Sequence, residues 1–380
     1  MPVAIQTSLS LLLMILLGFS LRKKLDSDAH RKGLKVIILD LALPAMIFVA
    51  LLGIKMDAEL LILPVLVLVW NGVMLFAGYF GLPWMGVERN SAQHRTWLML
   101  WPSLAPGLSC FPFLIEYLGE EALAWGALAD VGNKIYVLVC AYLIAMTWYY
   151  RVHALGKRSN GQKVKQLLLA MLREPINVVL ILAMVLLGLG WNLESLPGFI
   201  GKSIVSLKDI MTPLILLFIG MSVILKWKQI QSIFSLLMLR AGISLLLSGA
   251  LISVFPFSNL SAILLVVVFP LSSCSFWPFA HMSAVRQLEM GSAEGKSKKT
   301  FDLEMGINIL AVSLPFSTLL ILGIFSAGEY FSLPRNIFGL GFLLVVIPLA
   351  AKLISWVKTF DLAIDLPKNQ NLKNSPTESR

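Results

Sequence analysis

The sequence predicts an all-α integral membrane protein: two inverted five-helix repeats, in which helices four and nine are broken and cross, plus an extra C-terminal span. Three observations predict it. Of the 380 residues, 58% are hydrophobic and only 14% charged, with a mean hydropathy of +0.83, a balance that fits a membrane protein and little else. The apolar residues gather into spans near 4–21, 35–54, 59–80, 96–117, 122–149, 174–191, 203–225, 232–254, 261–283, 302–326 and 336–357. Two of those spans, the fourth and the ninth, carry the same unusual punctuation.

The first span has no positive charge ahead of it, and Arg22-Lys23-Lys24 follows it, which is the reverse of a secretory leader. It is expected to remain as a membrane helix. Beyond it the loops alternate in charge. Those at 22–35, 151–173, 226–228 and 286–299 are basic, while the intervening ones are acidic or nearly neutral, as at Glu116, Glu120 and Glu121. Basic loops stay on the cytoplasmic side, which puts the N-terminus outside and the C-terminus in the cytoplasm of a cell inner or plasma membrane. The net charge of +10 is therefore an orientation signal, and nucleic acid is not implied as a partner.

The fourth span contains Trp101-Pro102, then Ser109-Cys110-Phe111-Pro112-Phe113. The ninth contains Phe269-Pro270, then Ser273-Cys274-Ser275-Phe276-Trp277-Pro278-Phe279. A proline inside a helix removes a donor and clashes with the turn before it, at a cost of about 3 kcal/mol. Hydrocarbon cannot satisfy the polar groups so exposed, whereas a site between two pseudo-symmetric halves can. Two further matches run in the same order. Asp40 and Pro44 in span two mirror Asp209 and Pro213 in span seven, and Asp130-Val-Gly132-Asn133 in span five mirrors Glu304-Met-Gly306-Ile-Asn308 in span ten. An odd number of spans per unit inverts the second copy. The chain then divides into a first repeat at 1–150, a basic cytoplasmic loop at 151–173, a second repeat at 174–326, an additional helix at 336–357 and a polar cytoplasmic tail at 358–380.

Candidate substrate-binding residues follow from the breaks: Pro102, Ser109, Cys110, Pro112, Pro270, Ser273, Cys274 and Pro278, with Arg240 in the middle of span eight. Charge inside a bilayer needs an account, and Arg240 has two: a planar fork for a substrate carboxylate, or a partner for an acid on a neighbouring helix. Asp130 and Lys134, four residues apart, neutralise each other, or Asp130 carries a coupling proton. Asn133 and Asn308 offer neutral amides, and Glu304 joins the ion-coupling set through its match to Asp130. Asp40 and Asp209 read as scaffold. Cys110, Cys140 and Cys274 lie inside spans, so no disulfide framework is implied, and the four histidines stand apart from any ligand partner. No metal site, cofactor, nucleophile-base spacing or nucleotide-binding motif is apparent, which points away from an enzyme.

The residues Gly18, Arg22-Lys23-Lys24 and Asp40-Leu-Ala-Leu-Pro44, then Asp130-Val-Gly132-Asn133, Arg173-Glu-Pro175 and Pro213 through Gly220, resemble the auxin efflux carrier family of permeases over roughly residues 1–326. That family shares the crossed-helix plan of the bile-acid/sodium symporters. The resemblance implies substrate beside the crossover of helices four and nine, with helices one, two, six and seven as scaffold. Plant members have an Asn-Pro-Asn motif where this chain has Ser109-Cys110-Phe111-Pro112-Phe113, so auxin is a poor substrate. The bacterial-type members imply a small carboxylate. The expected function is a secondary active transporter of a small organic anion, driven by an H+, Na+ or substrate gradient, embedded in lipid and compatible with a homodimer. The alternative is a membrane-embedded sensor or accessory subunit that keeps the carrier fold without transport. A channel fits less well, because no ring of like charges is evident.

Overall fold

The computed structural model describes residues 3–364, apart from 23, 26, 54–61, 154–168, 170–174, 223–226, 256, 258 and 291–297. The predicted tail beyond 364, Arg173 and most of the basic loop 151–173 lie outside the described residues. Those residues fold as helices and connections, with no strand among them. Eight helices among them are long and apolar enough to cross a membrane, and Leu9–Leu21 and Pro175–Gly188 are shorter apolar helices. The protein is an all-α integral membrane protein.

Each predicted span has a helical counterpart. Helix α1 (Val3–Leu21) is followed by α2 (Asp28–Val36), whose first turn is capped by the Ser27 side chain accepting from the His30 amide. A wider π turn at Ile37–Ala42 leads into α3 (Leu43–Leu52). This turn sits where Pro44 withdraws its donor, and such bulges mark places where the regular ladder is interrupted. Next come α4 (Leu63–Trp84) and α5 (Ala92–Leu100), then the short α6 (Pro106–Ser109) and the long α7 (Phe111–Ile135). Gly119, at φ +83°, turns the chain inside α7, so the end of span four and the start of span five are joined by one residue. A π turn at Tyr136–Cys140 continues into α8 (Ala141–Val152).

The second half runs through α9 (Pro175–Gly188), α10 (Gly198–Asp209), α11 (Met211–Ser222) and α12 (Trp227–Val254). Ile210, between α10 and α11, precedes Pro213 by three residues, so the second proline match also falls at an interruption. Span nine is split into α13 (Leu260–Val268), a 3-10 turn at Phe269–Leu271, and α14 (Phe276–Met290). Helix α15 (Leu303–Ser326) is capped by Asp302, and α16 (Pro334–Ile364) is the additional span.

Packing brings the two breaks to the centre. Helix α1 runs against α11, and a Cβ at Gly220 would overlap the Ile15 carbonyl oxygen, so the two backbones touch there. Helix α3 lies against α9 and α10, α4 against α7, and α16 along α12. Fully buried Leu43, Ile47, Phe111, Phe113, Leu123, Ile215 and Leu245 form an apolar core around the interrupted segments. That core excludes lipid and water alike, so every peptide group freed by a break has to find a partner within the protein.

Candidate functional site

Helix α5 stops at Leu100, and residues Trp101–Ala105 are non-helical until Pro106 restarts the chain as α6. Helix α13 stops in the same way, and Ser272–Ser275 are extended before Phe276 starts α14. The two interrupted segments meet. The Ala105 amide donates to the Ser273 carbonyl at 2.8 Å. The Ser273 amide donates to the Ser109 hydroxyl at 2.9 Å, and the Ser275 amide to the Ser103 hydroxyl at 3.0 Å. Serine suits these positions because a short hydroxyl reaches a neighbouring backbone where a larger side chain would hold the segments apart.

Arg240, 1% exposed, secures both breaks at once. Its Nε donates to the Trp101 carbonyl at 2.7 Å, Nη2 to the Ser103 carbonyl at 3.0 Å and Nη1 to the Ser272 carbonyl at 3.0 Å. Trp101 and Ser272 follow the C-terminal ends of the upstream half-helices, where carbonyls lack intrahelical donors and the helix dipole is negative. A rigid, always-charged fork answers both needs. Neither reading of Arg240 from the sequence includes this geometry: the guanidinium is held by carbonyls and does not line the cavity described next.

On one side of the crossing, α7 supplies Asn133. Its Oδ1 accepts from the Leu104 amide at 3.1 Å, while its Nδ2 donates to the Leu104 carbonyl at 2.9 Å and to Asp130 Oδ1 at 2.7 Å. Asn71 of α4 donates to the Pro102 carbonyl at 2.6 Å. On the other side, α15 supplies the Ser313 hydroxyl, which accepts from the Cys274 amide at 3.3 Å.

Beside the crossing lies a cavity of about 390 Å³. Its polar lining is Lys35, Asp40, Asp130, Asn133, Lys134 and Ser275, and residues 105–108 and 275–277, where the downstream half-helices begin, also line it. Lys134 Nζ is 3.9 Å from Asp130 Oδ2, and both side chains are 6% exposed. Lys35 Nζ lies 4.7 Å from the centre of the Phe276 ring. Two ammonium groups, two carboxylates and the first turn of α14, whose Trp277 amide donates to the Ser275 hydroxyl at 3.4 Å, surround this space. Chemically, it can hold a small anion against the positive groups and a proton on a carboxylate.

Of the residues read from the sequence, Asp130 and Asn133 line the cavity, while Ser109, Ser273, Pro102 and Cys274 build the crossing through their backbone or hydroxyl groups. Cys110 is buried, with its amide bonded to the Pro106 carbonyl at 2.8 Å. Pro270 lies in the 3-10 turn. Pro112 and Pro278 fall in the first turns of α7 and α14, where a missing N–H leaves no intrahelical bond unmade, so the breaks themselves are upstream of them. Glu304 is exposed in the first turn of α15, and Asn308 is half-buried on the same helix; neither lines the cavity. The residues that sequence reasoning missed are Lys35, Asn71, Ser103 and Ser313. Among the described residues, no group of three or more His, Cys, Asp or Glu is placed to hold a metal ion.

No family model matches the chain. It is 28% identical over 239 residues, spanning 60% of this chain and 73% of the relative, to a protein of Methanocaldococcus jannaschii named an uncharacterized transporter. With its many apolar helices, the chain has the architecture of a multi-pass, transporter-like membrane protein.

Proposed function

We propose that this chain is a secondary transporter for a small organic anion, a carboxylate, which binds in the cavity beside the helix crossing. One observation carries the reading: two interrupted helices meet there, and the space they open is walled by Lys35, Lys134 and the first turns of the downstream half-helices. A helix N-terminus presents a positive dipole end, and an ammonium adds a mobile charge; together they suit a carboxylate. The named transporter among the relatives and the likeness to auxin efflux carriers support the same class.

Coupling rests on Asp130. Its carboxylate is hydrogen-bonded to Asn133, which in turn holds Leu104 in the first break, so a change of charge at Asp130 is transmitted to the crossing. A substrate carboxylate near Lys134 competes with Asp130 for that ammonium, which ties anion binding to the charge carried at Asp130. With the loop charges setting orientation, Lys35 marks the cytoplasmic mouth of the cavity. One set of helices then moves against the other about the crossing.

Counterflow tests this. Proteoliposomes loaded with unlabelled mono- and dicarboxylates of two to six carbons are given the labelled acid outside. A carrier accumulates label transiently, whereas a sensor binds the acid without exchange, and that outcome would replace the transport reading.

A further inference from the structure

A second cavity, of about 550 Å³, opens at the surface of the bundle, where Phe76, Tyr79 and Leu143 are exposed. It lies between the Gly72, Phe76 and Tyr79 face of α4 and the Ile144, Thr147 and Trp148 face of α8. Each trio shares a helical face by its spacing. The Thr147 hydroxyl is satisfied by the Leu143 carbonyl at 2.7 Å, which leaves the walls apolar or aromatic.

The groove has a charged end. Arg89 lies over the Tyr79 ring at 5.6 Å and the Phe80 ring at 5.7 Å. Arg151 is one turn beyond Trp148 on the same face of α8, and both arginines are exposed. One connection joins these ends of the two helices. Arg95 donates to the Asn90 carbonyl and, at 2.7 Å, to the Thr300 carbonyl. The Thr300 amide donates to Glu289 at 2.8 Å, which also meets the His153 ring at 3.3 Å, and Phe301 sits 6.1 Å from Trp148. The segment at Thr300–Phe301 therefore links the connection after α4, at Asn90, to the Trp148–His153 end of α8.

We infer that this groove binds an anionic phospholipid, its acyl chain between α4 and α8 and its phosphate on Arg89 and Arg151. An apolar slot that faces lipid takes a hydrocarbon chain, aromatic rings such as Tyr79 and Trp148 favour the headgroup level, and guanidinium forks match phosphate oxygens. Basic pockets between membrane helices select anionic headgroups for this reason. Glu88, exposed, is the one acid next to Arg89 in the chain.

Native mass spectrometry of the full chain in detergent tests it, with phosphatidylglycerol and phosphatidylcholine as probes. The wild type should retain phosphatidylglycerol about tenfold more strongly. The Arg89→Gln, Arg151→Gln pair should lose that preference. Gly72→Leu should lower retention of both lipids, because a Cβ at Gly72 meets no atom within 4 Å and the new side chain enters the groove. Gly81→Leu, equally open but outside the groove, is the control and should retain lipid as the wild type does. Equal retention of the two lipids by the wild type overturns the proposal. So does a preference that survives the arginine pair, retention that Gly72→Leu leaves unchanged, or a doubled protein mass that Gly72→Leu halves, which makes the groove an interface between copies. The arginine pair and Gly72→Leu are read separately, so one misfolded variant leaves the other as the test.

Discussion

The break at Trp101–Ala105 and the break at Ser272–Ser275 lie against each other, yet they are held by different chemistry. The first takes two carbonyl bonds from Arg240, one from Asn71, and a paired amide clasp from Asn133 on Leu104. The second takes one bond from Arg240, one hydroxyl from Ser313, and otherwise depends on Ser103, Ala105 and Ser109 of the first half. The difference teaches where coupling enters. Asn133 also bonds Asp130, so the first break is tied to cavity charge, while Ser313 ties the second break only to α15.

The largest effect falls on the residue shared by both breaks. Arg240→Gln, with two donors for three buried carbonyls, leaves at least one without a donor, at about 1–3 kcal/mol, and should lower the unfolding temperature in detergent well below the wild type. Arg240→Lys keeps the charge without the fork and should fall between the two. Unchanged stability in Arg240→Gln would remove Arg240 from its central place.

Next in size is the direct comparison. Asn133→Ala removes a donor and an acceptor from Leu104 and should cost about 2 kcal/mol, against about 1 kcal/mol for Ser313→Ala, both measured by thermal unfolding in one detergent. Equal losses would mean that the two breaks are supported alike. Last is Asp130→Asn, whose diagnostic effect is on transport. The new amide oxygen still accepts from Asn133, but the carboxylate 3.9 Å from the buried Lys134 ammonium is gone, so a loss of stability accompanies the change. Uptake driven by a pH gradient should be lost while exchange of internal for external anion persists, because exchange moves no net proton.

Much of this was legible from the sequence, for physical reasons. Apolar runs mark the helical class, and two Pro- and Ser-bearing interruptions in otherwise apolar spans locate the breaks. The details of the site were not legible, because they depend on which helices the crossing brings together. Arg240 has no sequence neighbour that reveals its partners, which are carbonyls 137, 139 and 32 residues away. Lys35 reads as loop charge until α2 carries it to Phe276, and Ser313 looks like any small residue of a membrane helix. The short likeness between Asp130 and Glu304 aligns two motifs, but the side chains occupy unlike places, one in the cavity and one on the surface. Proline residues 112 and 278 show the same limit: composition reveals that a helix is interrupted, while the position of the interruption depends on which turn holds the proline.

The central claim is that an anion binds in the cavity beside the crossing, held by Lys35 and Lys134. The most direct measurement is carboxylate counterflow by wild type and the Lys35→Gln, Lys134→Gln double variant, with unfolding temperature read on the same preparations. The account predicts that the double variant stays folded and loses exchange by more than about tenfold, the scale of one charge-assisted hydrogen bond. Exchange at the wild-type rate in a folded double variant would contradict it.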